Sequence, residues 1–301
     1  MITEKQMTIN SIITKGNDLV QSSYALSVSE TRVILLCLSK IDSSKPLPLD
    51  QEFTITANDF HGELGLDAAN AYRDLRAAVD KLWKREILID PSDPGSMVRW
   101  ISKKAYFTSK GSVNIAFSAQ LMPYITELRS RFTSYRLRDV AKFKNSYSIR
   151  VYELLVQFKN NHERRISVLD FRDMLDLGEK YSTIKDLKKR IVMPALDDIN
   201  EHSNVKAALS QEKQGKEITH LIFKYSVKKE AEKPKNHGTK QLVPLFTGHP
   251  EYTVDSEAVL EDHKRLKTKS EAKVKKILDN DKKSKITGLK QAIKQMEVIA
   301  D

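Results

Sequence analysis

The sequence holds one cysteine, ten glycines and no apolar run longer than six residues. A single thiol, Cys37, excludes an internal disulfide and a thiolate zinc cluster, and it suits a reducing compartment such as the cytoplasm. Its ordinary use is as a small buried hydrophobe. The longest apolar run, Val33 to Leu38, falls well short of the roughly 20 residues that a membrane-spanning helix needs. The N-terminus lacks the basic, apolar, small-residue order of a secretory signal, so no membrane association is expected. No pair of glycines supplies G-x-x-x-x-G-K-[ST], which removes a P-loop. His61, His162, His202, His220, His237, His249 and His263 never recur at i, i+2 or i, i+4. The close metal pair of a strand or helix is therefore missing, and with it the metal-and-tyrosine arrangement of a DNA-nicking enzyme. No G-x-S-x-G elbow occurs either. The expectation is a non-enzyme with neither cofactor nor metal.

What is abundant is positive charge. Lys and Arg number 51 against 40 Asp and Glu, an excess of 11. That balance favours a polyanionic partner. More than half of the excess sits between Arg129 and Arg150, where seven basic residues (Arg129, Arg131, Arg136, Arg138, Lys142, Lys144 and Arg150) face one acid, Asp139. Phe132, Tyr135, Phe143 and Tyr147 are interleaved with them and are expected to pack helices joining two domains. A cluster this one-sided repels itself unless an anion sits against it, so its charges are read as phosphate contacts.

The stretch that organises the chain is Arg165 to Val205. A short helix from about Val168 to Leu175 would bury Leu169 or Val168 together with Phe171, Met174 and Leu175. Gly178 can take the positive φ that ends it. A longer helix capped by Ser182 or Thr183 then buries Ile184, Leu187, Ile191 and Ala195. Its other side carries Ser182, Lys185, Asp186, Lys189, Arg190 and Met193. This is the layout of a helix-turn-helix, although a lysine-faced amphipathic helix is also what an ordinary solvated surface helix looks like. Pro194 removes one donor from the ladder and is expected to bend it.

An internal repeat strengthens the first reading. Asp59, Phe60, Leu64 and Leu66 match Asp170, Phe171, Leu175 and Leu177, each 111 residues on; Asp74, Leu75 and Val79 match Asp186, Leu187 and Ile191, each 112 on. One residue inserted in the turn accounts for the change. Each copy is followed by strand, glycine turn and strand: Val98 to Phe107 with Ser109 to Ser112 and Val113 to Phe117, then Val205 to Ser210 with a polar loop Gln211 to Glu217 and Leu221 to Val227. Helix-turn-helix plus hairpin is a winged helix. The expected fold is α+β, two tandem winged-helix domains related by pseudo-symmetry, followed by a lysine-rich helical tail.

Along the chain, residues 1–128 are assigned to a first domain, 129–228 to a second that includes basic connector helices, and 229–301 to a linker and tail. Residues up to Lys15 are polar and expected to fray. Ser27 and Glu30 form a capping box for a buried helix reaching about Ile41.

Three motifs then become recognisable: Leu19 to Tyr24 with Leu26-Ser27 and Arg32 to Leu36, Phe132 to Tyr135 with Tyr147 to Leu155, and Val192 to Asn200. In that order they resemble the iteron-binding replication initiators of theta-replicating plasmids, the RepE and π type, over roughly Asn17 to Val227. The resemblance implies two winged helices and a monomer that binds directly repeated origin sites, or iterons, in double-stranded DNA and helps open the adjacent duplex. It also implies a homodimer, joined through the first domain, that binds an inverted repeat and represses its own gene. A host initiator and a replicative helicase would be the further partners, and a bacterial cytoplasm the setting. The tail is not covered.

Carried onto this chain, the resemblance makes the second helix the main base reader, through Lys185 and Lys189, which can reach guanine O6 and N7. Tyr181, Ser182 and Asp186 would add base or phosphate contacts, Lys188 and Arg190 phosphate contacts, and Lys213 and Lys216 would flank the wing turn at Gly215. Arg73 and Arg76, with Lys81, offer fewer charges on the first domain's equivalent helix, beside Asp74 and Asp80. No arginine stands at the front of the second helix, so each contact discriminates as a point charge rather than a fork. Several bound copies on repeated sites would compensate by avidity. The rival reading is a tandem winged-helix transcription regulator without a replication role.

Overall fold

The computed structural model describes residues 8–62, 70–89, 97–158 and 160–228. The expected tail lies outside the described residues, as do Leu64 and Leu66 of the repeat. Strand β1 (Ile12–Gly16) opens the described fold and runs into α1 (Asn17–Gln21). Residues 12–15 are thus not frayed: Ile13 and Lys15 are buried, and the strand pairs antiparallel with Phe132–Arg136. Helix α2 (Val28–Leu38) starts at the expected box. Ser27 Oγ accepts the Glu30 amide at 3.3 Å, and Glu30 Oε2 accepts the Ser27 amide at 2.6 Å. Residues Val33 to Leu38, Cys37 among them, are all buried.

Next come β2 (Glu52–Thr56), α3 (Ala57–His61), α4 (Ala71–Leu82), the small hairpin β3 (Glu86–Leu88) and β4 (Met97–Arg99), then β5 (Ile101–Phe107) and β6 (Ser112–Phe117). After β7 (Phe132–Arg136) and α5 (Ser146–Val156) the pattern returns as β8 (Glu163–Ser167), α6 (Val168–Met174), α7 (Ile184–Leu187), a π turn over Lys188–Val192, α8 (Met193–His202), β9 (Val205–Gln214) and β10 (Glu217–Val227). The two three-stranded sheets have equivalent orders, β2-β6-β5 and β8-β10-β9.

The repeat is physical as well as sequential. β2 and β8 each end in a hydroxyl residue that caps the next helix: Thr56 Oγ1 accepts the Asp59 amide at 3.0 Å, and Ser167 Oγ accepts the Asp170 amide at 3.0 Å. Each cap stands in for a missing backbone partner and fixes the angle between strand and helix. Phe60 and Phe171 are buried just beyond, and Leu75 and Val79 occupy the core positions that Leu187 and Ile191 fill in the second copy.

Two expectations are corrected. The basic connector is not helical at its start: Phe132–Arg136 is a strand, followed by a short 3-10 turn Leu137–Asp139, and only α5 is an α-helix. Thr133, Tyr135 and Leu137 alternate inward with a period of two, which the dense charge around them obscures. The wing loop is also much shorter than Gln211 to Glu217. Gln214 pairs with Glu217, leaving Gly215 and Lys216 as the turn, with Gly215 at φ 63°. A ribbon wetted on both faces has no need of apolar alternation, so its tip reads as loop.

Helix α5 lies at the centre of the buried polar structure. Glu153 Oε1 accepts from Lys15 Nζ at 2.6 Å and from the Tyr135 hydroxyl at 2.5 Å. Arg150 donates to the Tyr24 hydroxyl at 2.5 Å, to the Ser22 carbonyl at 2.9 Å and to the Met174 carbonyl at 3.0 Å. The first two partners precede α2 and the third ends α6, so one buried guanidinium spans both copies of the repeat. Among the described residues no helix is long and apolar enough to cross a membrane, and no cluster of His, Cys, Asp or Glu has a metal site's grouping.

Candidate nucleic-acid interface

The second copy presents its second helix on a fixed base. Thr183 is the cap: its Oγ1 accepts the Asp186 amide at 3.1 Å and donates to Asp186 Oδ2 at 2.7 Å. Leu187, Ile191, Val192, Ala195, Leu196 and Ile199 are buried beneath. Ser182, Lys185, Asp186, Lys189, Arg190 and Met193 are exposed on the other side, as the periodicity requires. Pro194 follows a widened step of the helix. The ladder widens into a π turn in which the Met193 amide reaches the Lys188 carbonyl, placing the missing proline donor just after an already opened step.

Three of the sequence-derived positions are engaged within the fold. Lys188 is half-buried and its Nζ donates to Gln211 Oε1 of β9 at 2.9 Å, so it braces the helix against the wing. Asp186 serves the cap. Tyr181 is half-buried against the core and adopts a left-handed φ of 53°. Together with Ser182, Asp186 and Arg190 it lines a shallow depression of about 360 Å³.

Lys213 and Lys216 are exposed at the wing tip. At its base Arg165 forms a two-pronged pair with Glu212, both contacts at 2.8 Å, and its guanidinium lies 3.1 Å from His220 Nδ1. The Arg165 hydrogen bonds hold the Glu212 carboxyl below its ordinary range. Burial, aided by Arg165, pushes His220 down, which favours a neutral ring.

The first copy carries its charge less openly. On α4, Arg73 is exposed but lies 3.4 Å from Asp74, and the Arg76 guanidinium is 4.9 Å from the centre of the Tyr106 ring. Asp80 accepts from Tyr106 at 2.6 Å and from Lys104, and those hydrogen bonds keep its carboxyl ionised below the usual range.

The basic connector divides. Arg129, Lys142 and Lys144 are exposed. Arg131 pairs with Asp18 at 3.3 Å, Arg138 donates to Asn10 at 3.1 Å, and Arg136 is half-buried beside the 3-10 turn. Arg150, counted in the same cluster by sequence, is a core residue. A residue the sequence reading passed over is Arg172, on α6. Its guanidinium is held by three carbonyls of the turn that precedes Thr183, and no local spacing rule announces it.

Comparison with known proteins gives these elements a family. The model of the initiator replication protein WH1 domain matches residues 12–156, and that of the initiator Rep protein WH2 domain matches residues 167–225. A replication initiation protein of Escherichia coli is 30% identical over 220 residues, covering 70% of this chain and 68% of the relative. The chain belongs to the initiator replication protein family. The first match of this initiator runs from the start of β1 to the end of α5, and the second begins at Ser167, the cap of α6. A further relative, the PI protein of Escherichia coli, is 22% identical over 250 residues, covering 70% of this chain and 81% of that protein. The crystal structure of a Pi initiator protein in complex with iteron DNA superposes with a TM-score of 0.65 at 22% identity, covering 75% of this initiator and all of that chain. Its fold is accordingly two tandem winged helices.

Proposed function

We propose that this initiator binds directly repeated sites in a plasmid origin as a monomer and promotes opening of the neighbouring duplex. The observation that carries the reading is the exposed row Lys185, Lys189 and Arg190 on a capped helix whose opposite face is locked in the core. In this reading Lys185 and Lys189 face base edges. Ser182, Tyr181 and Arg190 contact the start of the site, and Lys213 and Lys216 follow the backbone at the wing. Arg73 and Arg76 make the lesser contribution of the first domain, through α4, while Arg129, Arg131, Arg136, Arg138, Lys142 and Lys144 meet phosphates. Lys188 and Asp186 support the helix rather than the DNA unless binding releases them.

The same reading gives a homodimer joined through the first domain that represses the initiator's own gene at an inverted repeat. A host initiator and replicative helicase are engaged at the opened origin. That a structurally similar initiator was crystallised with iteron DNA supports the site class. The buried, single thiol Cys37 is compatible with a bacterial cytoplasm.

The test is selection of bound sequences from random duplex DNA by the full chain, followed by a search for the selected motif beside its gene. A long motif recurring there in tandem is expected. A motif found only as one inverted repeat would favour a transcription regulator. No catalytic step belongs to this reading. Supercoiled origin DNA incubated with the protein and Mg²⁺ or Mn²⁺ should stay intact, and nicking would contradict it.

A further inference from the structure

The turn between α6 and α7 is unusual in its backbone. Asp176, Gly178 and Tyr181 adopt φ of 50°, 50° and 53°, so two residues with side chains occupy the left-handed region within six positions. That region costs such residues energy, and it persists only when surrounding contacts enforce it. At Gly178 and Tyr181 the surrounding contact is the Arg172 guanidinium. One terminal nitrogen donates to the Tyr181 carbonyl at 2.7 Å, and the other donates to the Gly178 and Lys180 carbonyls, both at 2.7 Å. Three carbonyl dipoles aimed at one point repel each other without a cation, and the planar guanidinium meets them from two nitrogens in a rigid fork, which the single ammonium of a lysine does not reproduce. The last carbonyl held belongs to Tyr181, two residues before the Thr183 cap, and Tyr181 lines the depression together with Ser182, Asp186 and Arg190.

We propose that Arg172 is a positioning residue for base recognition: it contacts no DNA, but by gathering the Gly178, Lys180 and Tyr181 carbonyls it sets the turn that presents Tyr181, Ser182 and the start of the reading helix to the groove. The proposal rests on the DNA-reading role given above. Its guanidinium is already used by backbone, which separates it from the exposed lysines that meet phosphate.

The experiment measures affinity across a salt series for two duplexes: the one that the wild-type chain selects from a random pool, and a scrambled duplex of the same composition. Arg172→Gln should lower the ratio of selected to scrambled affinity at least about tenfold, with the salt slope and the scrambled affinity unchanged. Asp176→Gly in the Arg172→Gln background should recover part of that ratio, since glycine takes a positive φ without a Cβ penalty; loss of the Asp176 charge would raise both affinities and leave the ratio alone. A fall in both affinities together, with the slope reduced by about one, would make Arg172 a phosphate contact and overturn the proposal. An unchanged ratio would overturn it as well. Should Arg172→Gln not fold by circular dichroism, Arg172→Lys decides: a several-fold loss of the ratio is expected, and full retention refutes the role. A wild-type chain that selects no motif would instead remove the base-reading role itself, and this proposal with it.

Discussion

Lys185 and Lys189 stand one helical turn apart, exposed, above a row of fully buried aliphatic side chains. In the proposed reading their ammonium groups meet base edges without moving the helix that bears them. Replacing either with alanine should weaken binding to the selected sequence by about 1 to 3 kcal/mol and relax preference at one base position, read by repeating the selection with the variant. Lys188 shares their charge but is half-buried, with its ammonium donating to Gln211. Helical spacing alone sets Lys188 apart from Lys189, but it does not show the Gln211 contact across to β9. Arg150 and Arg172 were hidden for the same reason: their partners, backbone carbonyls and for Arg150 also the Tyr24 hydroxyl, are brought together only by the fold. Charge counting sees a cation and cannot see what it touches.

At the level of elements the sequence was more informative. The 111-residue repeat placed both helix pairs in register because buried leucines, phenylalanines and capping residues must recur wherever the same small core is rebuilt. It failed where another signal masked the pattern, as in β7, whose inward Thr133 and Tyr135 lie among arginines. The wing is a further case, since its strands extend past the last apolar residue to a glycine turn. The wing also allows a clean test. Lys213→Ala with Lys216→Ala removes two exposed charges far from the core, so folding should be unaffected. If both meet phosphates, the slope of log affinity against log salt should become shallower by ~1.8 while base preference stays the same. A changed preference would assign the wing to base reading.

For the whole molecule the decisive feature is α5. Burial opposes ionisation of Glu153, but Lys15 and Arg150, with hydrogen bonds from Lys15 and Tyr135, outweigh it and hold the carboxyl below its ordinary value. A carboxyl depressed in the folded state stabilises the protein above its unfolded pKa of about 4.3, and that contribution is lost as pH falls through the folded value. Glu153→Gln should therefore flatten the acid limb of stability against pH, measured by denaturant midpoints below about pH 4.5. At neutral pH it should cost about 3 to 5 kcal/mol, because Lys15 is left buried without its counter-charge. A variant that keeps the wild-type acid profile would place the pH dependence elsewhere.

The same helix carries a geometric consequence. Arg150 cannot release Met174 on one side, or Ser22 and Tyr24 on the other, without stranding a charge in the interior. If both halves engage DNA as proposed, they would face the double helix as a caliper of fixed opening, and the protein would measure length as well as letters. Inserting five base pairs, about half a helical turn, between the parts of the site read by each half should abolish tight binding. Inserting ten restores the face of the helix but not the distance, so it should fail too; recovery at ten would reveal a joint where the structure has a strut.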